Sequence, residues 1–287
     1  MPAGTPSAEP LDPDRDYLLI FQATFGVAFG WDVRRALELA IFHTFGAPSI
    51  SEVLDQTSEF ADRGQKRYDD TVALLREVGR DGPSSPRGRS AIKRMNRIHA
   101  AYDISNDDLV YVLATFVVMP VRWIGRYGWR DLTADEVRAA VNYYREVGRL
   151  MGIRQIPLTY LEFAGYLDAY EREHHAFCEA NTRLAVSLIA VMGAWFPPPL
   201  RPLTRHWITA ALGQPLRQVL GLPGSLGVAR ASLHVALRSR AALMRLFPPL
   251  RRGSKTPRRL RSYPGGYALG DLGPACMAGE CPVRRPA

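Results

Sequence analysis

Four helix-start sequences constrain the fold of this chain more than any other feature. Each places Ser or Thr three residues before Glu or Asp: Ser49-Ile50-Ser51-Glu52, Ser105-Asn106-Asp107-Asp108, Thr133-Ala134-Asp135-Glu136 and Thr159-Tyr160-Leu161-Glu162. In such capping sequences, the hydroxyl and the carboxylate hydrogen-bond to backbone N–H groups that a first helical turn leaves free. Helix formers dominate the middle of the chain, whereas alternating strand-like segments are scarce. The sequence therefore predicts an all-α protein.

The length and the apolar content allow one large domain with extensions. The chain has 287 residues, of which 47% are hydrophobic, so it can bury a sizeable core. Composition divides it into a disordered lead-in (1–13), a helical domain (14–196), a basic amphipathic helical extension of that domain (197–250) and a mostly disordered tail (251–287). The helix that starts at Ser105 is predicted to end before Pro120. The longest apolar run, 184–196, is too short for the ~20 residues of a membrane-spanning helix.

Charge is concentrated in one region of the chain. Between Ala180 and Gly270 there are fourteen Lys and Arg residues and no Asp or Glu, and the net charge of the chain is +9. A basic, apolar segment of this kind favours peripheral contact with an anionic membrane surface. No specific nucleic-acid binding is expected, because the region lacks a recognisable motif and has few aromatic residues among its arginines.

The cysteines and the N-terminus indicate the compartment. The spacing of Cys178, Cys276 and Cys281 matches neither a zinc site nor a c-type haem attachment, and few cysteines fit a reducing environment. Residues 1–13 lack the basic and apolar parts of a secretory signal. The sequence therefore predicts a cytoplasmic protein that can also associate peripherally with a membrane surface.

Two short helical segments carry the most distinctive polar chemistry. Arg67 and Thr71 are four residues apart, so a helix places their side chains next to each other, where they can bind one small anion or polar diatomic molecule. His99 lies in a helical segment with apolar neighbours that could exclude water and leave one imidazole nitrogen free for a metal. Taken singly, each of these residues is more often structural than functional.

Other candidates have weaker support. His43 is a second possible metal ligand, but a single histidine on an apolar helix face is usually a hydrogen-bonded core residue. His174 and His175 point in different directions on a helix, and nothing beside Cys178 favours a thiolate ligand. Several aromatic residues could line a lipophilic pocket or could be ordinary core: Tyr102, Tyr111, Trp123 and Trp129.

The order of the motifs resembles a known family. Arg-x-x-x-Thr at Arg67 is followed by Asn-x-Ile-His ending at His99, by Ile-x-Asn-x-Asp from Ile104, and by Tyr-Gly-Trp-Arg-x-Leu-Thr-x-x-Glu ending at Glu136. This ordered series is similar to that of the MpaB-type and latex-clearing (rubber) oxygenases. The resemblance covers residues 35 to 185 of this sequence, approximately, and is weak outside them.

The resemblance implies a haem b protein with a globin-like helical core that uses dioxygen to cleave a carbon–carbon double bond of an isoprenoid chain. His99 matches the proximal ligand of the haem iron, and its other nitrogen is expected to meet a carbonyl or carboxylate. Arg67 and Thr71 match the distal polar pair. Latex-clearing oxygenases have a distal lysine where this chain has Asp70, which argues against polyisoprene itself as the substrate.

Three hypotheses follow from the sequence. The first is a haem b-dependent oxygenase with a lipophilic substrate and O2, in which Arg94 and Arg97 contact the haem propionates. The second is a non-catalytic helical protein that binds haem or lipid at anionic membranes. The third, ranked low, is a basic partner of nucleic acid through residues 197–261.

Overall fold

The computed structural model of the chain describes residues 10–247 and 260–274. These residues form twelve α-helices and no β-strand, so the all-α prediction is confirmed. The first six are α1 (Tyr17–Phe21), which continues as a π-helical segment (Gln22–Ala28), α2 (Gly30–Thr44), α3 (Pro48–Gln56), α4 (Glu59–Asp81), α5 (Pro86–His99) and α6 (Asn106–Tyr127). The others are α7 (Ala134–Leu150), α8 (Tyr160–His174), α9 (Glu179–Gly193), α10 (Arg201–Ala211), α11 (Gln214–Val219) and α12 (Gly227–Leu246).

Helix α6 lies at the centre of the main core and packs against α2, α7 and α8. Its start is as predicted, because the Ser105 hydroxyl accepts a hydrogen bond from the Asp108 N–H at 3.0 Å. Its end differs from the prediction, since the helix passes through the buried Pro120 and ends at Tyr127. Tertiary packing around α6 outweighs the backbone hydrogen bond that a proline removes.

Because α6 continues through Pro120, it forms a longer apolar helix than the sequence predicted. Among the described residues, α6 is the one helix long and apolar enough to cross a membrane, and 56% of its most apolar window is buried within the protein. The expectation that no apolar stretch reaches that length was wrong, because it treated Pro120 as a helix end. Burial of this extent is also typical of the central helix of a folded domain.

The other helix starts agree with the sequence in two of three cases. Thr133 and Glu136 form the complete capping box of α7, and the Thr159 hydroxyl accepts from the Glu162 N–H at 3.2 Å at the start of α8. In α3 the predicted cap is wrong, because the helix begins at Pro48 without a side-chain cap. The two serines of that sequence instead form hydrogen bonds to other helices, to Asp108 and Asn181.

The two histidines and the cysteine that follow Tyr160 do not share one helix. Helix α8 ends at His174, and residues 175–178, which include His175 and Cys178, connect it to α9. Further along, α10, α11 and α12 lie within 197–250, the segment that the sequence analysis described as a basic amphipathic helical extension. Helix α12 packs against α10 and α6, and its Arg240 reaches the buried Asp32 near the start of α2.

Residues 260–274, here called the C-terminal strap, are packed on the core although the sequence placed them in a disordered tail. Leu260 and Leu272 are buried in the main apolar cluster, and the strap contacts α4 and α5. Residues 1–9, 248–259 and 275–287, which include Cys276 and Cys281, lie outside the described residues. The predictions of a disordered lead-in and tail therefore stay predictions for those residues.

Candidate active site

A cavity of about 270 Å³ lies among helices α4, α5, α6 and α7, close to α3. Its wall is mostly apolar, with side chains such as Leu74, Met95, Val112, Phe116 and Val147. The volume is just below the range of ~300–1,000 Å³ that is usual for small-molecule sites. Arg67, Thr71 and His99 all border this cavity, so the structure brings together the three residues that the sequence singled out.

Arg67 and Thr71 are joined directly, as their helical spacing predicts. The Arg67 Nη1 donates to the Thr71 Oγ1 at 2.6 Å, and the Thr71 hydroxyl donates back to the Arg67 carbonyl at 3.2 Å. The guanidinium also lies over the Phe60 ring, with its Cζ 5.5 Å from the ring centroid. Thr71 therefore fixes the position of Arg67, and its own proton is engaged by the backbone.

The positively charged guanidinium of Arg67 is buried. Burial lowers the pKa of the Arg67 guanidinium, while the nearby Asp70 and Glu59 carboxylates act in the opposite direction. An arginine nonetheless stays protonated in proteins at neutral pH. Arg67 thus presents a permanent cation to a cavity with few polar groups, where an electrostatic interaction is stronger than in water.

His99 is the last residue of α5 and faces the same cavity. Burial, followed by the positive charge of Arg67, lowers the pKa of its imidazole to about 4. His99 is therefore neutral at pH 7 and carries a lone pair that can bind a metal. Among the described residues no hydrogen bond to either ring nitrogen is found, so the expected carbonyl or carboxylate partner is not present there.

The donor set fits a haem better than a metal ion bound by the protein alone. His99 is the one histidine among the described residues that line the cavity, and the described part of the chain contains no cluster of three His, Cys, Asp or Glu side chains suited to a metal. Haem brings its own four nitrogen ligands, so a single neutral imidazole is a sufficient axial ligand. An apolar wall with one such imidazole is consistent with a haem pocket.

The structure does not bring the other two predicted cofactor ligands to the cavity. Arg94 donates to the carbonyls of Leu272 at 2.8 Å and of Gly270 at 3.0 Å, and thus binds the strap. Arg97 is exposed and does not border the cavity. The interpretation of these two residues as partners of haem propionates stays a prediction; on α5 both lie away from the face that carries His99.

Most of the other sequence candidates have structural partners instead. Of the four aromatic residues, Tyr102 lines the cavity, whereas Tyr111, Trp123 and Trp129 do not. Tyr111 donates to the His43 carbonyl at 2.9 Å, and the His43 Nδ1 lies 2.7 Å from Glu171. His43 is therefore the hydrogen-bonded core residue that the sequence favoured over a metal ligand.

Sequence reasoning missed two kinds of cavity residue. Glu59 borders the cavity because α4 is kinked at Arg63, where φ is −138° and ψ is 37°. Gly273 and Pro274 reach it from the strap. The available signal was the pair Asp69-Asp70 in an otherwise amphipathic helix, since two adjacent buried carboxylates require partners from elsewhere in the chain.

A comparison with protein families finds a match over most of the chain. The profile of the family described as "ER-bound oxygenase mpaB/B'/Rubber oxygenase, catalytic domain" matches residues 35–246, which include helices α3 to α7 around the cavity. The matched segment is well over half of the chain. It contains Arg67, Thr71 and His99, but not the strap.

Curated relatives come from two fungi. The protein named ER-bound oxygenase mpaB of Penicillium brevicompactum is 33% identical over 146 residues, which are 49% of this chain and 37% of that protein. The protein of the same name from Penicillium roqueforti is 33% identical over 146 residues, 49% of each chain. The match thus spans between a third and a half of the relatives' length. By the match to its catalytic domain, the chain belongs to the family of mpaB-type ER-bound oxygenases and rubber oxygenases.

Proposed function

We propose that this protein is a haem b-dependent oxygenase that oxidises or cleaves a carbon–carbon double bond of an isoprenoid or other lipophilic chain with O2. The observation that carries the proposal is the common cavity of His99, Arg67 and Thr71, enclosed by apolar side chains. Membership of an oxygenase family supports the reaction class. The haem, the substrate and the products are all part of what is proposed.

Haem iron, bound through His99, would supply the redox chemistry that dioxygen requires. The chain's own residues supply three other things. The low pKa of His99 keeps its nitrogen unprotonated and ready to bind the iron down to about pH 4. Arg67 holds a positive charge where negative charge develops on oxygen, and Thr71 keeps the guanidinium in one position.

The apolar wall of the cavity determines the class of substrate. Leu, Ile, Val, Met and Phe side chains line it on α3, α4, α5 and α6, with Tyr102 and Tyr144 among them. Such a wall favours a hydrocarbon chain, because burial of apolar surface contributes about 25 cal/mol per Å². It would also exclude water from the reacting atoms, so that the positive charge of Arg67 would act more strongly on negative charge that develops there.

The test is an absorption spectrum of the purified protein with reduction and carbon monoxide. The wild type is expected to show a Soret band that shifts with carbon monoxide, and His99→Ala is expected to lose it. His206→Ala is the matched control, because His206 is exposed on α10 and far in sequence from the cavity residues. A colourless wild type after haem is supplied, or a His99→Ala protein with full haem content, would overturn the proposal.

A non-catalytic binder of haem or lipid is the second candidate function. The same cavity favours it, since an apolar pocket with one imidazole can also hold such a ligand without turnover. Oxygen consumption separates the two functions. A haem-loaded protein that consumes no O2 with any of a series of prenyl alcohols and prenylated aromatic acids would indicate the binder.

The membrane contact that the charge pattern predicted also stays a proposal. On α12 the exposed side chains Val228, Val235 and Leu246 fall on one face, since their spacings of seven and eleven residues are close to whole helical turns. Arg238 and Arg245, seven residues apart, are exposed beside that face. An apolar stripe with flanking arginines is the pattern of a helix that lies on an anionic lipid surface.

A further inference from the structure

The C-terminal strap is held by acidic side chains of α4 that the oxygen chemistry does not use. Asp69 Oδ2 accepts the N–H of Ser262 at 2.7 Å. Asp70 accepts the Tyr263 hydroxyl at 2.5 Å and the Gly273 N–H at 3.1 Å. Both carboxylates are 2% exposed, so they lie under the strap and not on the protein surface. Charged acceptors of this kind form stronger hydrogen bonds than neutral ones.

Basic side chains hold the strap from the other direction. Lys66 binds Asp70 at 2.9 Å and also donates to the carbonyls of Gly273 at 3.0 Å and Asp271 at 3.3 Å. Arg94 of α5 donates to the Leu272 carbonyl at 2.8 Å. The end of the strap is therefore bound to both α4 and α5, the two helices that carry Arg67, Thr71 and His99 to the cavity.

Gly273 brings the strap into contact with the helix of His99. Its φ of +117° is a conformation that L side chains rarely adopt, and a Cβ atom there would lie 2.9 Å from the Ile98 Cδ1. Ile98 directly precedes His99 in α5 and itself lines the cavity together with Gly273 and Pro274. The strap thus closes the cavity along the edge between α4 and α5.

We propose that the strap is a removable wall of the cavity, that Asp70 is the residue that positions it, and that this wall limits the size of the molecules that enter. Asp70 itself borders the cavity, so its hydrogen bonds to Tyr263 and Gly273 lie at the rim and not at a remote site. A substrate with a bulky end group must displace the strap, whereas a small molecule such as O2 need not. The proposal concerns entry alone and does not depend on iron chemistry.

The role of Asp70 also accounts for the departure from the latex-clearing pattern at this position. A lysine at this position could not accept the Tyr263 hydroxyl or the Gly273 N–H, because an ammonium group has no acceptor. With Asp70 the strap is held closed over the cavity, whereas with a lysine it would have no charged acceptor at this position. A shorter or slimmer lipophilic substrate than a polymer fits such a closed cavity.

Methionine oxidation in the full chain tests the proposal, because Met95 and Met151 line the cavity while Met192 is buried elsewhere, in a separate apolar cluster with Phe45 and Leu188. Two reagents with the same chemistry but different size are compared: monochloramine, which is small, and chloramine-T, which carries an aromatic ring. Sulfoxide formation at each methionine is followed by mass spectrometry. Hydrogen–deuterium exchange of residues 260–274 is measured in parallel to report the opening of the strap.

Asp70→Asn and Tyr263→Phe are the test variants, and Asp168→Asn is the matched control, since Asp168 pairs with Arg122 on the surface. Tyr263→Phe removes a single hydroxyl and keeps the test valid if Asp70→Asn does not fold. In both test variants the rate of oxidation of Met95 and Met151 by chloramine-T is expected to rise about fivefold to tenfold, the change that loss of one hydrogen bond makes in an opening equilibrium. The rates with monochloramine, and the rate at Met192, are expected to change little.

Three results would overturn the proposal. The first is faster exchange of residues 260–274 in the variants without faster oxidation of Met95 and Met151 by chloramine-T. The second is hydrogen–deuterium exchange of residues 260–274 at the wild-type rate in both variants. Asp70 would then not be the residue that positions the strap. The third is a parallel rise at Met192, which would show general loosening of the fold instead of an opened wall.

Discussion

The Arg67 Nη1 and the Thr71 Oγ1 are 2.6 Å apart, one helical turn from each other and on the wall of the same cavity as His99. The hydroxyl accepts from the guanidinium and donates to the Arg67 carbonyl, so it has no second proton to offer a ligand. In the proposed function, Arg67 is therefore the residue that would contact dioxygen, and Thr71 is the residue that positions Arg67.

Replacement of Arg67 and of Thr71 should have different effects on turnover. Arg67→Ala removes the cation and should lower kcat by about 10²-fold to 10³-fold, the usual effect of losing one preorganised donor. Thr71→Val should lower it about tenfold, because the guanidinium loses its fixed position but keeps its charge. The measurement is oxygen consumption at saturating lipophilic substrate, with the Soret absorbance as control for haem content.

Thr71→Ser is the conservative control for that experiment, since it keeps the acceptor for Arg67. It should retain turnover close to that of the wild type. A Thr71→Ser protein as impaired as Thr71→Val would contradict the positioning role, because the hydroxyl would then not be the group that matters.

The stability of the haem-free protein should depend on pH through His99. Its pKa in the folded protein is about 4, against 6.5 for an unperturbed histidine, so the unfolded chain binds a proton at higher pH than the folded one. The contribution of His99 to stability is full above pH 6.5 and is lost progressively as the pH falls towards 4. The loss reaches about 3 kcal/mol, since each pKa unit corresponds to about 1.4 kcal/mol.

Urea denaturation of the wild type and of His99→Gln at pH 7.5, 5.5 and 4.5 measures this dependence. Other groups also titrate in this range, so the difference between the two proteins is the informative quantity. The free energy of unfolding of the wild type should fall more than that of His99→Gln between pH 7.5 and pH 4.5. Parallel curves for the two proteins would mean that the His99 pKa is not lowered.

The parts of the fold and site that the sequence predicted are those that local geometry determines. The Thr133 capping box and the Arg67–Thr71 pair each lie within one or two helical turns, where spacing fixes which side chains meet. His99 required more, because nothing local shows that α5 ends at the same cavity as α4. The resemblance to a family in the order of several motifs supplied that link.

The parts that could not be predicted depend on contacts between distant segments. Pro120 continues α6 because neighbouring helices cover it, which the local rule for proline does not include. Asp70 is 193 residues from Tyr263 in sequence, and the strap is rich in Gly and Pro and looks disordered by composition. The contacts of Arg94 could not be predicted for the same reason, since its carbonyl partners belong to the strap.

Helix α12 should depend on one buried ion pair for its attachment. Arg240 donates to Asp32 Oδ1 at 3.0 Å and lies 3.8 Å over the Trp31 ring, while Asp32 is 1% exposed. Arg240→Ala should destabilise the protein by about 3 to 5 kcal/mol, because it removes the charged partner of a buried carboxylate and leaves it with the Trp123 N–H, 3.2 Å away. Urea denaturation at pH 7.5 measures the change.

Arg238→Ala is the matched control on the same helix. Arg238 is exposed and donates to the Arg126 carbonyl, so its loss should change the free energy of unfolding by no more than about 0.5 kcal/mol. The double variant Asp32→Asn/Arg240→Met should recover part of the loss, since it removes both charges together. An Arg240→Ala protein as stable as Arg238→Ala would show that the ion pair does not hold α12 in place.

The proposed membrane contact predicts a specific loss of vesicle binding. Val235 is 62% exposed at the middle of the apolar stripe on α12, so Val235→Glu both removes apolar contact and adds repulsion from anionic lipid. Binding to phosphatidylserine-containing vesicles should fall about tenfold or more, as judged by co-sedimentation. Binding by the wild type should itself weaken as salt is raised, because the attraction of the basic region is screened.

Val186→Glu is the control for that substitution, since Val186 is a similarly exposed valine on α9 and lies outside the stripe. It adds the same charge and should leave vesicle binding nearly unchanged. Equal loss in both variants would indicate a general effect of negative charge. Undiminished binding by Val235→Glu would show that α12 does not lie on the lipid, and that the basic charge of residues 180–270 serves a different contact.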